Sequence, residues 1–348
     1  MTPPGKIRVL IVDDSAIVRK VLSDAIAAEP DLEVAGTAPD PYIARDKILT
    51  LEPDVVTLDI EMPRMDGITF LRKLMHYHPL PVIIISSLGQ ASCQATLDAL
   101  RIGAVEVLGK PGGPYSVGEL RVSLAAKIRA AAVARIRQKT APTVQKNPFP
   151  GAIHGFGSRA VIAVGASTGG TEAIEHVLTS LPADAPGIVI TQHIPPVFSR
   201  AFADRLNECC AMEVKEGCDG DEVAPGRALI APGNFHMFLR KSPAGYLVRI
   251  KDGPQVCYQR PSVDVLFSSV AETAGPDAVG VLLTGMGSDG AQGLLRMKRA
   301  GARTIAQDEA TSVVFGMPRE AIRLGAADRV LPLPRIAGAI LGAAHRNP

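Results

Sequence analysis

Residues 7–15 read Ile-Arg-Val-Leu-Ile-Val-Asp-Asp-Ser, a nearly unbroken apolar run that stops at two adjacent carboxylates. A strand exposed on one face alternates polar and apolar side chains, so a continuous run marks a strand covered on both faces, as in parallel sheets. Runs of the same kind recur at 32–35, 55–58, 82–85 and 105–108, each followed by an amphipathic, helix-like stretch. This βα alternation predicts a small, doubly wound α/β domain over about the first 125 residues, with the order of elements that a flavodoxin-like sheet requires. A second α/β pattern begins at Ala160, with strands expected at 160–164, 187–191, 228–231, 246–250, 278–284 and 303–306. Between the two lie a helical Ala/Arg-rich stretch over 119–138 and a segment from Lys139 to Ser158 that carries Pro142, Pro148, Pro150, Gly151, Gly155 and Gly157. The expected division is therefore 1–126, a helical extension and linker over 127–157, and a second doubly wound α/β domain over 158–348.

Composition narrows the function classes. With 37 Lys+Arg against 35 Asp+Glu there is no basic field to recruit nucleic acid. No apolar stretch reaches the roughly 18 residues of a membrane span, so a cytoplasmic protein without membrane insertion is expected. The five cysteines are an odd number and form no Cys-x-x-Cys pair, and His76 and His78 fall on different faces of a helix. Neither set suggests a metal site. A dinucleotide fold would need Gly-x-Gly-x-x-Gly after Val164 and an acidic residue ending the next strand, and neither is present; the second half reads as an α/β domain rather than a helix-turn-helix output.

The first strand ends in Asp13-Asp14, the third runs into Asp59 and the fifth into Lys110. Ligands of open parallel sheets gather at the carboxyl ends of the strands, so these four side chains should converge. Three carboxylates in one place repel one another unless a cation joins them, and hard oxygen donors suit Mg²⁺. A carboxylate held against Mg²⁺ and a lysine can accept a phosphoryl group, because both cations neutralise charge on the transferring oxygens. Ser86, ending the fourth strand, is placed to hydrogen-bond such a phosphoryl oxygen. Singly, each aspartate would serve as a helix cap or loop residue. Together, the motifs VDDS, LDIEMPRMDG, IIISS and GKP resemble those of response-regulator receiver domains over residues 6–125. The resemblance implies Asp59 as phospho-acceptor, Asp13 and Asp14 beside it as Mg²⁺ ligands, Lys110 as the phosphate-facing cation and Ser86 as the switch residue. It also implies a sensor histidine kinase as phosphodonor. Val107 departs from the pattern, standing where many receivers carry a switching aromatic.

In the second half, Val164-Gly165-Ala166-Ser167-Thr168-Gly169-Gly170 follows a strand and opens a helix in the pattern Gly-x-Ser-x-Gly. Small neighbours allow a sharp turn that exposes a serine oxygen beside the unpaired N–H groups of a helix N-terminus. Such turns also bind phosphate, and a serine there also serves as an N-cap. His193 and Asp289 follow two other strands. A hydroxyl becomes a nucleophile when a neutral imidazole takes its proton and a carboxylate orients the imidazole. His236 competes with His193 as the base, and His193 is preferred. The order Ser, His, Asp differs from that of ordinary α/β-hydrolases, where the acid precedes the histidine. The segments GASTGG, QHIPP, APGNFHM, RPSVDVLF, LTGMGSDGA and AQDEATSVVFGMP resemble the chemotaxis methylesterase family over about residues 158–340. That resemblance implies a catalytic triad of Ser167, His193 and Asp289, with Thr168 and Met286 supporting an oxyanion and no cofactor in this half. The implied function is phosphorylation-regulated hydrolysis of glutamate γ-methyl esters on methylated chemotaxis receptors. Glutamine deamidation through the same acyl-enzyme stays open.

Overall fold

The computed structural model describes residues 5–87, 90–110, 117–136 and 160–345. The chain separates into two compact units, Met1–Pro142 and Thr143–Pro348. Among the described residues no helix is long and apolar enough to cross a membrane.

In the first unit, strands β1 (Ile7–Val12), β2 (Leu32–Ala38), β3 (Val55–Asp59), β4 (Val82–Ser86) and β5 (Glu106–Gly109) form a parallel sheet in the order β2-β1-β3-β4-β5. Helices α1 (Ala16–Ala27), α2 (Pro41–Leu51), α3 (Gly67–Tyr77), α4 (Gln90–Ile102) and α5 (Val117–Ala132) alternate with the strands. Every residue of β3, β4 and β5 is buried, which is why these stretches read as continuous apolar runs. Short polar caps start the helices that leave the strand ends. Ser15 accepts from Val18 N–H at the start of α1, and Asp66 accepts from Thr69 N–H at the start of α3. These caps let β1 and β3 end abruptly, with Asp13 and Asp59 at the rim.

The helix expected over 119–138 ends at Ala132, where a turn closes from Ala134 N–H to Ala131 O. The expected boundary at 126 falls inside this helix. Beyond it Lys127 pairs with Glu106 at 3.0 Å, Arg129 pairs with Glu29 and Asp31, and Ile128 is fully buried. These contacts keep the helix on its own sheet to its end. The Pro/Gly segment from Lys139 to Ser158 and the Pro111 that follows Lys110 lie outside the described residues.

The second unit holds β6 (Val161–Ala166), β7 (Gly187–Gln192), β8 (Glu213–Glu216), β9 (Arg227–Ile230), β10 (His236–Ser242), β11 (Gly245–Lys251), β12 (Ala278–Leu282), β13 (Arg303–Gln307) and β14 (Arg329–Leu331). Its helices are α6 (Gly170–Thr179), α7 (Pro196–Cys209), α8 (Val263–Thr273), α9 (Ala291–Arg299), α10 (Met317–Arg323) and α11 (Ile336–Ala344). Seven strands form a parallel sheet in the order β14-β13-β12-β6-β7-β9-β8, which sets β6 in the middle between β12 and β7.

The strand expected at 246–250 does not join that sheet. It pairs antiparallel with β10 as a separate hairpin whose turn is Pro243-Ala244. The hairpin is pinned to α8, since Leu239 N–H donates to Ser269 Oγ at 2.9 Å and Thr273 Oγ1 donates to Leu239 O at 3.1 Å. Between them lies an apolar layer of Met237, Leu239, Val248, Leu266, Phe267 and Val270. Phe267 is fully buried there, and its replacement by alanine would cost about 3–5 kcal/mol. That layer fixes the N-terminus of α8 against the end of the large sheet.

Candidate functional site

At the carboxyl end of the first sheet, oxygens of Asp13, Asp14 and Asp59 lie within 4.8 Å of one another. Asp13 and Asp59 are buried and Asp14 is exposed. Lys110 Nζ donates to Asp59 Oδ2 at 2.7 Å and stands 3.9 Å from Asp13 Oδ2. Asp13 Oδ1 accepts the Ser15 N–H at 2.8 Å and Asp59 Oδ1 accepts the Glu61 N–H at 3.2 Å. Burial raises the Asp13 carboxyl to about 6, with the Ser15 N–H pulling the other way and the charges of Asp59 and Asp14 adding to the rise. Burial likewise raises Asp59 against the pull of Lys110. Burial pulls Lys110 down, but its bond to Asp59 and the charges of Asp59, Asp13 and Asp14 together outweigh it and raise the ammonium above its ordinary value.

Asp13 Oδ2 is buried without a hydrogen-bond partner. An orphaned carboxylate oxygen beside two further carboxylates is the donor set of a hard divalent cation, and Mg²⁺ fits it. Ser86 ends β4, one residue beyond Ile85, the partner of Asp59 across the sheet. Its hydroxyl donates to Ser87 O at 3.2 Å and accepts from Thr96 Oγ1 at 3.1 Å. Thr96, on α4, is a partner that no strand-end pattern announces.

In the second unit Ser167 follows β6 in a tight seat. Its N–H donates to Thr284 O at 3.0 Å, and its carbonyl accepts from Gly170 N–H at 2.6 Å and from Gln192 Nε2 at 2.9 Å. Gly169 turns the chain into α6 with φ +76, in the left-handed region, where an added Cβ would also fall 2.5 Å from Val313. Gly285 lies flat against the serine, and a Cβ there would stand 2.7 Å from Ser167 Cβ. This close approach brings the Gly285-Met286-Gly287 loop beside Ser167. Met286 is exposed at the rim, and its N–H donates none of the hydrogen bonds that tie this loop together.

His193 follows β7, whose Gln192 pairs with Ala166, and its N–H donates to Ala166 O at 3.2 Å. Its Nε2 lies 2.8 Å from Asp289 Oδ2, and its Nδ1 is buried with no hydrogen-bond partner. Ser167 and His193 thus stand at adjacent strand ends, with no hydrogen bond recorded between Ser167 Oγ and Nδ1.

Asp289 is held by four donors. Besides His193, Val263 N–H reaches Oδ2 at 2.7 Å, while Ser262 Oγ–H at 2.8 Å and Asp264 N–H at 3.0 Å reach Oδ1. Burial alone would raise this carboxyl, but His193 and the donors at the start of α8 outweigh it and hold Asp289 below the usual carboxylate range. An ionised Asp289 can only accept, so Nε2 of His193 carries the proton and Nδ1 keeps a lone pair. The buried pair can therefore take one proton, at Nδ1, from a neighbouring hydroxyl.

His236, the other candidate base, is committed elsewhere. Its Nε2 lies 2.9 Å from Pro254 O and its Nδ1 accepts the Ser262 N–H at 3.2 Å. Sequence reasoning did not single out Ser262, Val263 and Asp264 as a cradle for Asp289. The signal was present in Ser262, a capping residue directly before an apolar helical run.

Residues 9–120 match the response regulator receiver domain, and residues 162–340 match the CheB methylesterase family. The protein-glutamate methylesterase/protein-glutamine glutaminase 2 of Syntrophus aciditrophicus is 56% identical over 342 residues, 97% of this chain and 99% of that protein. The protein-glutamate methylesterase/protein-glutamine glutaminase of Salmonella typhimurium is 52% identical, with 97% of each chain covered. Among solved structures, the CheB methylesterase catalytic domain of Thermotoga maritima aligns with 53% of this chain and 98% of its own, at 38% identity and a TM-score of 0.52. With relatives of this likeness matched along nearly their whole length, and a receiver preceding the catalytic half, the chain belongs to the CheB methylesterase family.

Proposed function

We propose that the second unit hydrolyses glutamate γ-methyl esters of chemotaxis receptors by a Ser-His-Asp mechanism under the control of phosphorylation at Asp59. The observation that carries this reading is the buried His193–Asp289 pair, whose one uncommitted nitrogen, Nδ1, stands at the strand end next to Ser167. Ser167 Oγ attacks the ester carbonyl while Nδ1 takes its proton, and Asp289 stabilises the imidazolium that forms. The Met286 N–H and the N-terminus of α6, with Thr168 beside it, supply donors for the developing oxyanion. Nδ1 returns the proton to methanol as it leaves. It then takes one from the water that attacks the acyl-serine and passes it to Ser167 Oγ as the acyl bond breaks, which frees the glutamate carboxyl group and restores the serine. A glutamine side chain would follow the same route with ammonia leaving, in keeping with the glutaminase in the relatives' names.

In the receiver, Asp13, Asp14 and Asp59 would hold Mg²⁺, which neutralises phosphoryl oxygens when bound. Asp59 is the acceptor of a phosphoryl group from a sensor histidine kinase, Lys110 faces that group and Ser86 reports it. The protein works in the cytoplasm, as a receiver, a connecting segment that ends near residue 157 and a catalytic domain beyond it.

Methanol release from methylated receptor tests the triad. Ser167→Ala removes one oxygen and no core volume, so the fold remains and the rate falls by roughly three orders of magnitude or more. His193→Ala is similarly damaging and Asp289→Asn somewhat less so. A Ser167→Ala protein with near wild-type activity would overturn the assignment.

A further inference from the structure

Behind Asp289 the hydrogen bonding does not stop. Ser262, fully buried, donates its hydroxyl to Asp289 Oδ1 at 2.8 Å, and its backbone N–H donates to His236 Nδ1 at 3.2 Å. His236, also buried, donates from Nε2 to Pro254 O at 2.9 Å. An amide N–H facing Nδ1 requires a lone pair there, so the proton of His236 sits on Nε2. The donors along the row are therefore fixed: His236 donates to Pro254, Ser262 donates to both His236 and Asp289, and His193 donates to Asp289 from the other side. We propose that Ser262 and His236 are positioning residues of the ester hydrolysis: Ser262 tempers the negative charge that Asp289 presents to His193, and His236 holds Ser262 in place by its backbone. This inference rests on the triad reading.

The physical basis is the competition of donors for one carboxylate. A hydroxyl bonded to a buried carboxylate spreads its charge and favours the ionised form. Without that hydroxyl Asp289 keeps His193 and two backbone N–H groups, and its charge falls more heavily on the imidazole. The imidazolium is then easier to form, so His193 stays protonated to a higher pH. Since the base must be neutral to act, the acid limb of kcat/KM moves upward. The other titratable groups facing Asp289 are Asp264 on α8 and Cys257 on the Val256–Gln259 turn. Burial raises the Asp264 carboxyl and the Cys257 thiol, and the charge of Asp289 adds to both. Neither opposes the shift.

Ser262 is also the N-cap of α8, accepting from Val265 N–H at 3.4 Å, so a drop in rate alone would not separate positioning from helix support. The pH profile does. We expect Ser262→Ala to move the acid limb of kcat/KM on methylated receptor up by about 0.5–1 pH unit, and Ser262→Thr, which keeps a hydroxyl, to restore it. His236→Gln should move it in the same direction by less. Proton NMR of the full chain supplies a readout independent of turnover, because the His193–Asp289 bridging proton should move downfield in Ser262→Ala as the bond tightens. An acid limb and bridging resonance that both stay in place, whatever the loss of rate or stability, would overturn the proposal. If Ser167→Ala stayed active the triad itself would have failed, and the resonance would still test the coupling of Ser262 to the buried pair.

Discussion

At the scale of the residue, Asp13 is where the receiver pays for readiness. The folded protein holds a proton on Asp13 up to about pH 6, whereas the unfolded chain releases it near 3.8. Between those values the native state binds more protons than the unfolded state, so the contribution is favourable below about 3.8 and is lost as pH rises through 6. Without divalent cation, Asp13→Asn should therefore stabilise the receiver by about 1–3 kcal/mol at pH 7.5 and much less at pH 4. Mg²⁺ should raise the unfolding temperature of the wild type at pH 7.5 and barely move that of Asp13→Asn. Thermal scans at the two pH values check this, and equal gains at both would refute burial as the source of the strain. Asp13, Asp59, Lys110, Ser167, His193 and Asp289 were legible beforehand because each ends or follows an apolar run, and parallel sheets collect such residues at one rim. The donors around Asp289 were not, because α8 reaches it through tertiary packing from a distant stretch of chain. The partners that occupy both ring nitrogens of His236 were hidden for the same reason.

At the scale of the element, the Val256–Gln259 turn departs from its ordinary chemistry. Val256 N–H donates to Gln259 O at 3.1 Å and Gln259 N–H to Val256 O at 2.9 Å, while Cys257 and Tyr258 take φ 51 and 61. Two successive left-handed residues are usually Asn-Gly, and side chains with a Cβ pay about 1–2 kcal/mol each for that backbone. Tyr258 is 82% exposed, so little packing offsets the cost. Replacing the pair by Cys257→Asn with Tyr258→Gly should raise the stability of the catalytic unit by about 1 kcal/mol, read from the urea midpoint at constant slope. A fall would show that the tyrosine holds something the exposure conceals.

Three strands were missed in the sequence, β8, β10 and β14, and they are those least like the fully buried runs: of the seven residues of β10 only His236, Met237 and Leu239 are buried. β8, Glu-Val-Lys-Glu, is an edge strand with charged faces, and β14 has three residues, two of them exposed. The misplaced 246–250 stretch alternates, with Tyr246 and Val248 buried and their neighbours partly exposed. That period is the mark of a one-sided antiparallel pair, which is what β11 forms with β10.

At the scale of the whole molecule, each unit closes its own parallel sheet and buries its own core. A fragment from Thr143 onward should therefore keep its fold by circular dichroism and hydrolyse a small activated ester. Acetyl phosphate should alter methanol release by the full chain and leave that of the fragment unchanged. A response by the fragment would place the phosphodonor's action outside the receiver.

The strand order of the second sheet also bears on how the protein is made. β6 is central, yet its two neighbours arrive at different times: Val161 pairs with Gly187 on one side and with Ala278 on the other. On the ribosome the serine and the histidine emerge early, while one flank of β6 lies bare until β12 has been translated. That flank is an open seam for a chaperone, or for another nascent chain. Asp289 and the loop that backs Ser167 follow β12, so a product that stops before residue 289 carries Ser167 and His193 without the carboxylate that holds the imidazole.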